Sequence, residues 1–277
     1  MESSKQAPIL NIPVAIIVAG AIVAASVIWT KRPAPVASAK PVEQIVISIR
    51  PVSATDHILG SPNAPIKIVE YSDPSCPFCK IFHPVMQQLM SDYGKAGSVA
   101  WVYRSYPLDT PDPAGNILHK NAGHESQALE CAAEVGGNDK FWAYTNRLYE
   151  ITPSVTSTSP NGLDQNELPN IAKYVGIDVV KFNTCLASGR MAARVNADKT
   201  DGLNAGISGT PSSIIALNKP ISSSVRDQVM KVYEPYRSQN GDYPVMFSDD
   251  GRFLSVNGAL PLEVMKATIE ILYANTK

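Results

Sequence analysis

The sequence predicts an α/β fold. A βαβ…ββα sheet is interrupted by an inserted all-helical domain and preceded by one N-terminal transmembrane helix. Three observations carry this. "IKIVEYS", Ile66 to Ser72, alternates apolar residues, is β-branched at several positions and leads through a turn into a helical stripe. From about Asp112 to Thr200 the pattern turns helical before strand character returns. Ile12 to Trp29 is an uncharged run of the length a bilayer requires.

The 277 residues are 44% apolar and 18% charged, ample for a packed core. A net charge of −1 calls for neither nucleic acid nor an acidic substrate. As a helix, the 12–29 run would rise about 27 Å, close to the hydrocarbon thickness. It has no polar face, and it exceeds the usual length of a signal-peptide core. Residues 1–30 are therefore expected to be a cytoplasmic tip and anchor, and 31–44, "KRPAPVASAKPVEQ", a Pro/Ala linker. Lys31 and Arg32 directly after the span weakly favour a cytoplasmic C-terminal domain. The cysteines argue for the opposite side.

Residues 45–111 and 201–277 are assigned to the sheet domain and 112–200 to the helical insert. Residues 45–52, "IVISIRPV", are expected to add a strand before the core, and 99–107, "VAWVYRSYP", to form the second core strand. Within the insert, Phe141 and Trp142 are expected in its core. A Ser/Thr/Pro loop falls at 152–162. Residues 218–250 form an unusual insertion, with an amphipathic helix expected over Ser224 to Tyr236 through Val225, Val229, Val232 and Tyr233. Residues 252–260 make a closing strand, and a final helix follows Pro261.

"YSDPSCPFCKIFHPV" holds Cys76 and Cys79 where a strand ends and a helix begins. First-turn N–H groups point at the first sulfur and stabilise a thiolate. Cys79, one turn on, is expected to be more shielded than an exposed, ionised Cys76. Pro84 is expected to kink the helix. A metal reading would use Cys76, Cys79 and His83, but structural zinc needs a fourth ligand and no second knuckle exists. His83 is otherwise expected to be a partly exposed helix residue, and His57, His119 and His124 are isolated in the sequence.

These residues resemble the DsbA-like branch of the thioredoxin superfamily, bacterial thiol–disulfide oxidoreductases with a helical insertion. "DHILGSPNAPIKIVEYSDPSCPFCKIFHP", 56–84, resembles the opening strand and active-site helix, and "SGTPSSIIAL", 208–217, the strand carrying a cis-proline. "FWAYTNRLYE" and "FNTCLASG" resemble the helical insert. The resemblance implies a thioredoxin fold, with Cys76 as nucleophile, Cys79 as resolving thiol and Pro211, after Thr210, as the cis-proline. It also implies that Glu70 is a buried proton acceptor for Cys79, with a solvated strand-edge carboxylate as the alternative. Pro77 and Phe78 lie between the cysteines. The strongly oxidising members have a histidine where Phe78 stands, so a less oxidising potential is expected.

The flanks of Cys131 and Cys185 resemble members whose insert is closed by a second disulfide; two buried free thiols are the alternative. Such a bond needs an oxidising compartment. The implied activity is thiol–disulfide exchange on exported proteins, disulfide-forming in direction, with no cofactor. A membrane partner would reoxidise the cysteine pair. The alternatives are a reductase or isomerase, a metal carrier using Cys76, Cys79 and His83, and a binding module that keeps the fold as scaffold.

Overall fold

The computed structural model describes residues 46–153 and 162–276, all within one unit spanning Ile45–Lys277. The expected anchor and linker, and most of the 152–162 loop, lie outside the described residues. Among the described residues no helix is long and apolar enough to cross a membrane.

The Ile66–Ser72 run forms β2 with the bounds its alternation predicts. It pairs in parallel with β3 (Val99–Ser105), Ile66 opposite Val99 and Ser72 opposite Ser105. Parallel neighbours need a crossover, supplied by α1 (Pro77–Leu89), whose final turn widens over Met90–Gly94. α1 is continuous through Pro84. β1 (His57–Gly60) adds to β3 antiparallel. On the other side β4 (Ser212–Leu217) pairs with β2, followed outward by β6 (Phe253–Asn257) and β5 (Val245–Phe247), giving the order β1-β3-β2-β4-β6-β5.

Among the described residues four helices separate β3 from β4: α2 (Ala122–Ile151), α3 (Glu167–Tyr174), α4 (Val179–Ser188) and α5 (Ala192–Asn204). α2 joins two helical runs at Gly137, whose φ of 76° suits a residue without Cβ. Cys131 on α2 is disulfide-bonded to Cys185 on α4, with 5.7 Å between their Cα atoms. Phe141 and Trp142 are buried as expected, against Trp101 and Tyr103 of β3.

Because β2 and β3 are central and covered on both faces, almost every residue in them is buried. One face, with Ile66, Ile68, Trp101 and Tyr103, packs on α1, α2 and the C-terminal α7 (Leu262–Thr276). The other, with Val69, Tyr71, Val102 and Ile214, packs on Ile47 and Ile207. That second face explains a difference from the sequence reading: residues 46–52 form no strand. Pro51 has no N–H to give a ladder, and the Arg50 N–H donates to Asp201 Oδ1 at 2.6 Å. Ile47 packs as irregular chain instead.

The Arg50 side chain joins a buried cluster with Asp56, Arg104, Asp198 and Asp201. Arg104 donates to Asp56 at 2.9 Å and to Asp201 at 2.6 Å, and Arg50 to Asp198 at 2.8 Å.

In the 218–250 insertion the expected helix is α6 (Ser223–Tyr233), closed by a short turn at Glu234–Tyr236. Ser222 caps it, accepting from the Val225 N–H at 3.4 Å. Val225, Val229 and Tyr233 are buried, Val232 only partly. Tyr233 meets Thr268 of α7 through a 3.1 Å hydroxyl contact. The insertion thus covers α7 and adds β5 to one sheet edge.

Candidate active site

Cys76 occupies the cap position before α1, with φ −77° and ψ 125°, and Pro77 opens the helix. The Cys76 N–H donates to the Asp73 carbonyl at 3.0 Å, and Lys80 N–H to the Cys76 carbonyl at 3.1 Å. A proline in the first turn spends no helical donor and leaves the remaining first-turn N–H groups aimed outward. The Thr210–Pro211 bond is cis, and the Cys76 thiol lies 3.5 Å from the Thr210 carbonyl, with which it hydrogen-bonds. Sequence-distant Cys76, Thr210 and Pro211 therefore meet at one point.

Exposure does not divide the two cysteines as expected. Cys76 is 3% exposed and Cys79 0%. The loops carrying Leu108–Asn121 and Ser208–Thr210 rise beside Cys76 and, with Phe78, enclose a cleft of about 560 Å³ onto which it opens. Phe78 itself is 60% exposed at the rim. No residue of 218–250 lines that cleft.

Charge is what separates the two sulfurs. Cys76 is lowered to about 6, chiefly by its hydrogen bond with the Cys79 thiol, with Thr210 adding to it and burial opposing. Cys79 is pushed well above the ordinary thiol value, by burial first and then by Cys76. The Asp73 N–H donates to Cys79 Sγ at 3.4 Å. Two thiols three residues apart thus have opposite preferences: the first holds a thiolate and the second a proton.

Glu70 is buried, not a solvated edge carboxylate. Its Oε2 accepts from Trp101 Nε1 at 2.8 Å, while Oε1 has no partner. Burial raises it to about 7, with Cys76 adding to the rise. A carboxyl with this value changes protonation near neutrality.

His83 departs from the sequence reading. It is buried rather than partly exposed, between Trp101 and Tyr149 at ring separations of 5.1 and 4.7 Å. Its Nε2 lies 2.7 Å from Asn146 Oδ1, and burial lowers it to about 4, so the ring is neutral. Its apolar seat comes from the helix face that buries Cys79, Phe82 and Met86 with it. Among the described residues no group of three His, Cys, Asp or Glu is placed to hold a metal.

The histidines that look isolated in sequence have partners in space. His57 Nε2 reaches Glu130 at 2.9 Å and stacks on Phe141 at 3.6 Å. His124 Nδ1 lies 2.9 Å from Gln165 Oε1. Gln165 in turn donates to Glu125 at 2.8 Å, and Ser75 Oγ donates to Glu125 at 2.6 Å, tying α2 to the residue before Cys76. His119 Nδ1 lies 2.8 Å from Asp73 Oδ2. Sequence reasoning missed Asp73, Ser75, His119 and Glu125 as parts of this site. Only the polar "SDPS" turn hinted at two of them.

A family model described as thioredoxin matches residues 52–231. The solved structure of Wolbachia pipientis alpha-DsbA1 superposes with a TM-score of 0.58 at 19% identity, covering 81% of this chain and 94% of that one. Among curated relatives, "Na(+)/H(+) antiporter NhaA 3" of Salinispora tropica is 30% identical over 164 residues, 58% of this chain. A "Putative protein-disulfide oxidoreductase" of Rickettsia prowazekii is 24% identical over 163 residues, 56% of this chain and 54% of that protein. The match spans only 21% of the length of the Salinispora antiporter.

Proposed function

Since the chain belongs to the thioredoxin family matched over residues 52–231, we propose that it is a thiol–disulfide oxidoreductase acting on exported proteins through the Cys76-Pro77-Phe78-Cys79 pair. The observation that carries this is the opposite tuning of two neighbouring sulfurs beneath a cis-Pro211 loop. A low thiol value makes Cys76 both an available nucleophile and a good leaving group. The raised Cys79 suits a thiol that attacks only after losing its proton to a nearby acceptor; Glu70, whose charge acts on Cys79, is the proposed acceptor.

The direction proposed is disulfide formation. A substrate thiolate attacks Cys76 of the oxidised pair, Cys79 departs, and a second substrate thiol releases Cys76. A thiolate-stabilised reduced state favours this direction, because it makes the protein's own disulfide easier to give away. The proposed location is the extracytoplasmic face of a membrane. The Cys131–Cys185 bond supports an oxidising compartment, and residues 12–29 are the proposed anchor. A membrane redox partner would return the pair to the disulfide.

The test is to mix the oxidised protein with a reduced, unfolded disulfide protein and follow native disulfides by activity regain. Regain that requires Cys76 supports the reading. A C76S variant as active as wild type removes it. A net loss of substrate disulfides, with the cysteine pair found reduced in cells, makes the protein a reductase.

A further inference from the structure

Disulfide exchange must place two protons, and the core side of the site offers Glu70 for one of them. On the cleft side, His119 is the only imidazole among the described lining residues. Its position is fixed twice. Nδ1 donates to Asp73 Oδ2 at 2.8 Å, and the backbone N–H donates to the Leu108 carbonyl at 3.0 Å. The Leu108 N–H in turn donates to the same Asp73 oxygen at 2.8 Å. Asp73 Oδ1 accepts from the Ser75 N–H at 2.8 Å. One carboxylate, three residues before Cys76, therefore orders both the Cys76 turn and the loop that brings His119 to it.

We propose that His119, oriented by Asp73, takes the proton of the incoming substrate thiol and is the counter-charge for the Cys76 thiolate. The proposal rests on the thiol–disulfide exchange reading above. A carboxylate bound at Nδ1 fixes the tautomer, leaves the lone pair on Nε2 and makes the ring more basic.

The groups acting on His119 agree. Burial is the largest single influence and opposes its charge, but the Asp73 hydrogen bond together with the charges of Asp73, Cys76 and Glu125 exceeds it, so the ring binds its proton more tightly than usual. Lys120, the next residue, lines the same cleft. Coupling between two titrating groups is mutual. If the Cys76 thiolate stabilises the imidazolium, the imidazolium stabilises that thiolate equally.

The step balances. The substrate thiol gives its proton to His119 Nε2, and its sulfur attacks Cys76 Sγ. The Cys76–Cys79 bond breaks, the substrate–Cys76 bond forms, and the electron pair remains on Cys79, which takes the Glu70 proton. A second substrate thiol loses its proton to solvent and attacks the first substrate sulfur. Cys76 then leaves as a thiolate beside the imidazolium. Two substrate thiols are oxidised to one disulfide, and the protein's disulfide is reduced.

The experiment titrates Cys76 in the reduced full chain, by thiolate absorbance and by the pH profile of alkylation, in wild type, H119Q, H119K and D73N. H119Q is expected to move the Cys76 inflection up by about one unit, a tenfold loss of thiolate below it. It should also slow exchange of the oxidised full chain with a small thiol at pH 7. H119K keeps the positive charge, so it should restore the thiolate but not the exchange rate, because an ammonium is no acceptor at that pH. In D73N the imidazole inflection of the exchange profile should fall. An exchange-competent H119Q with unchanged Cys76 titration overturns the proposal alone. Absence of exchange in wild type overturns the reading beneath it.

Discussion

The lowered Cys76 value makes a prediction about stability that does not depend on any substrate. Its value is about 6 in the folded, reduced protein against 9.0 for an ordinary thiol. A depressed value means that the folded state holds the thiolate more tightly than the unfolded chain does. The stabilisation is fully present above pH 9 and is lost as pH falls through 6. Three units at 1.36 kcal/mol each give a full extent of about 4 kcal/mol. At pH 5 almost none of it is present; at pH 7 it is about 1.4 and at pH 8 about 2.7 kcal/mol. The oxidised protein has no Cys76 thiol and lacks the term altogether. Glu70 runs the other way: its raised value gives stability that is present below the ordinary 4.5 and lost as pH rises through about 7. Burial is its first cause, and burial is common to both redox forms, so subtraction removes most of it. The assay is urea unfolding of the reduced and oxidised forms at pH 5, 6, 7 and 8. The reduced form should gain about 2.7 kcal/mol on the oxidised form over that range, equivalent to about 60 mV in reduction potential. A gain below about 0.5 kcal/mol would refute the claim that the helix cap and the Cys79 hydrogen bond hold a thiolate.

Three further outcomes follow from the same structure. Replacing Glu70 by Gln keeps an acceptor for Trp101 but removes the proton acceptor. Decay of the mixed disulfide through Cys79 should slow by about 10²-fold in single-turnover experiments, while unfolding at pH 8 should no longer be weaker than at pH 6 on its account. Replacing Cys131 and Cys185 together by Ala opens a loop closed across a sequence separation of 54. On the chain-entropy model the double variant should lose about 4 kcal/mol, read from denaturation midpoints with the Cys76 titration unchanged. Replacing Arg104 by Met strands the buried carboxylates of Asp56 and Asp201, and thermal unfolding should report a loss of about 3–5 kcal/mol.

What could be read from the sequence was whatever a local period or turn dictates. β2 keeps its predicted ends because Ile66–Ser72 is bounded by Pro65 and the Asp73-Pro74 turn, and β-branched residues fill it. α1 and α6 follow their apolar stripes. Residues 46–52 look like a strand by the same rule and are not one, because the partner for the Arg50 N–H is a carboxylate 151 positions away. The buried seat of His83 escapes the local pattern for a related reason. Its helix is amphipathic, but the insert covers the face that would otherwise meet water, and only Asn146 and Tyr149 show that. The Asp73–His119 and Ser75–Glu125 pairs span 46 and 50 positions. No spacing rule reaches that far.

The pleat of β2 explains why two carboxylates so close in sequence serve different sulfurs. Side chains alternate along a strand, so Ile66, Ile68, Glu70 and Ser72 share the face toward α1, α2 and Trp101. Val69 and Tyr71 take the other face, where Tyr71 hydrogen-bonds to Asp201. Glu70 is thereby held in the apolar layer that contains Cys79, and burial keeps its proton near neutral pH. Asp73 lies just beyond the last pleat, where the chain turns. Its two oxygens meet three donors: the Ser75 and Leu108 N–H groups and the His119 ring. On the proposed roles, one carboxyl trades a proton with the inner sulfur while the other orients an imidazole at the outer one. A one-residue slip of β2 against β3 and β4 would exchange the faces, bury Tyr71 against Trp101, and leave Cys79 with no proton acceptor, while the helix cap that activates Cys76 stayed intact. Activation of the first thiol is therefore a property of the turn, and the proposed proton supply to the second is a property of the sheet register.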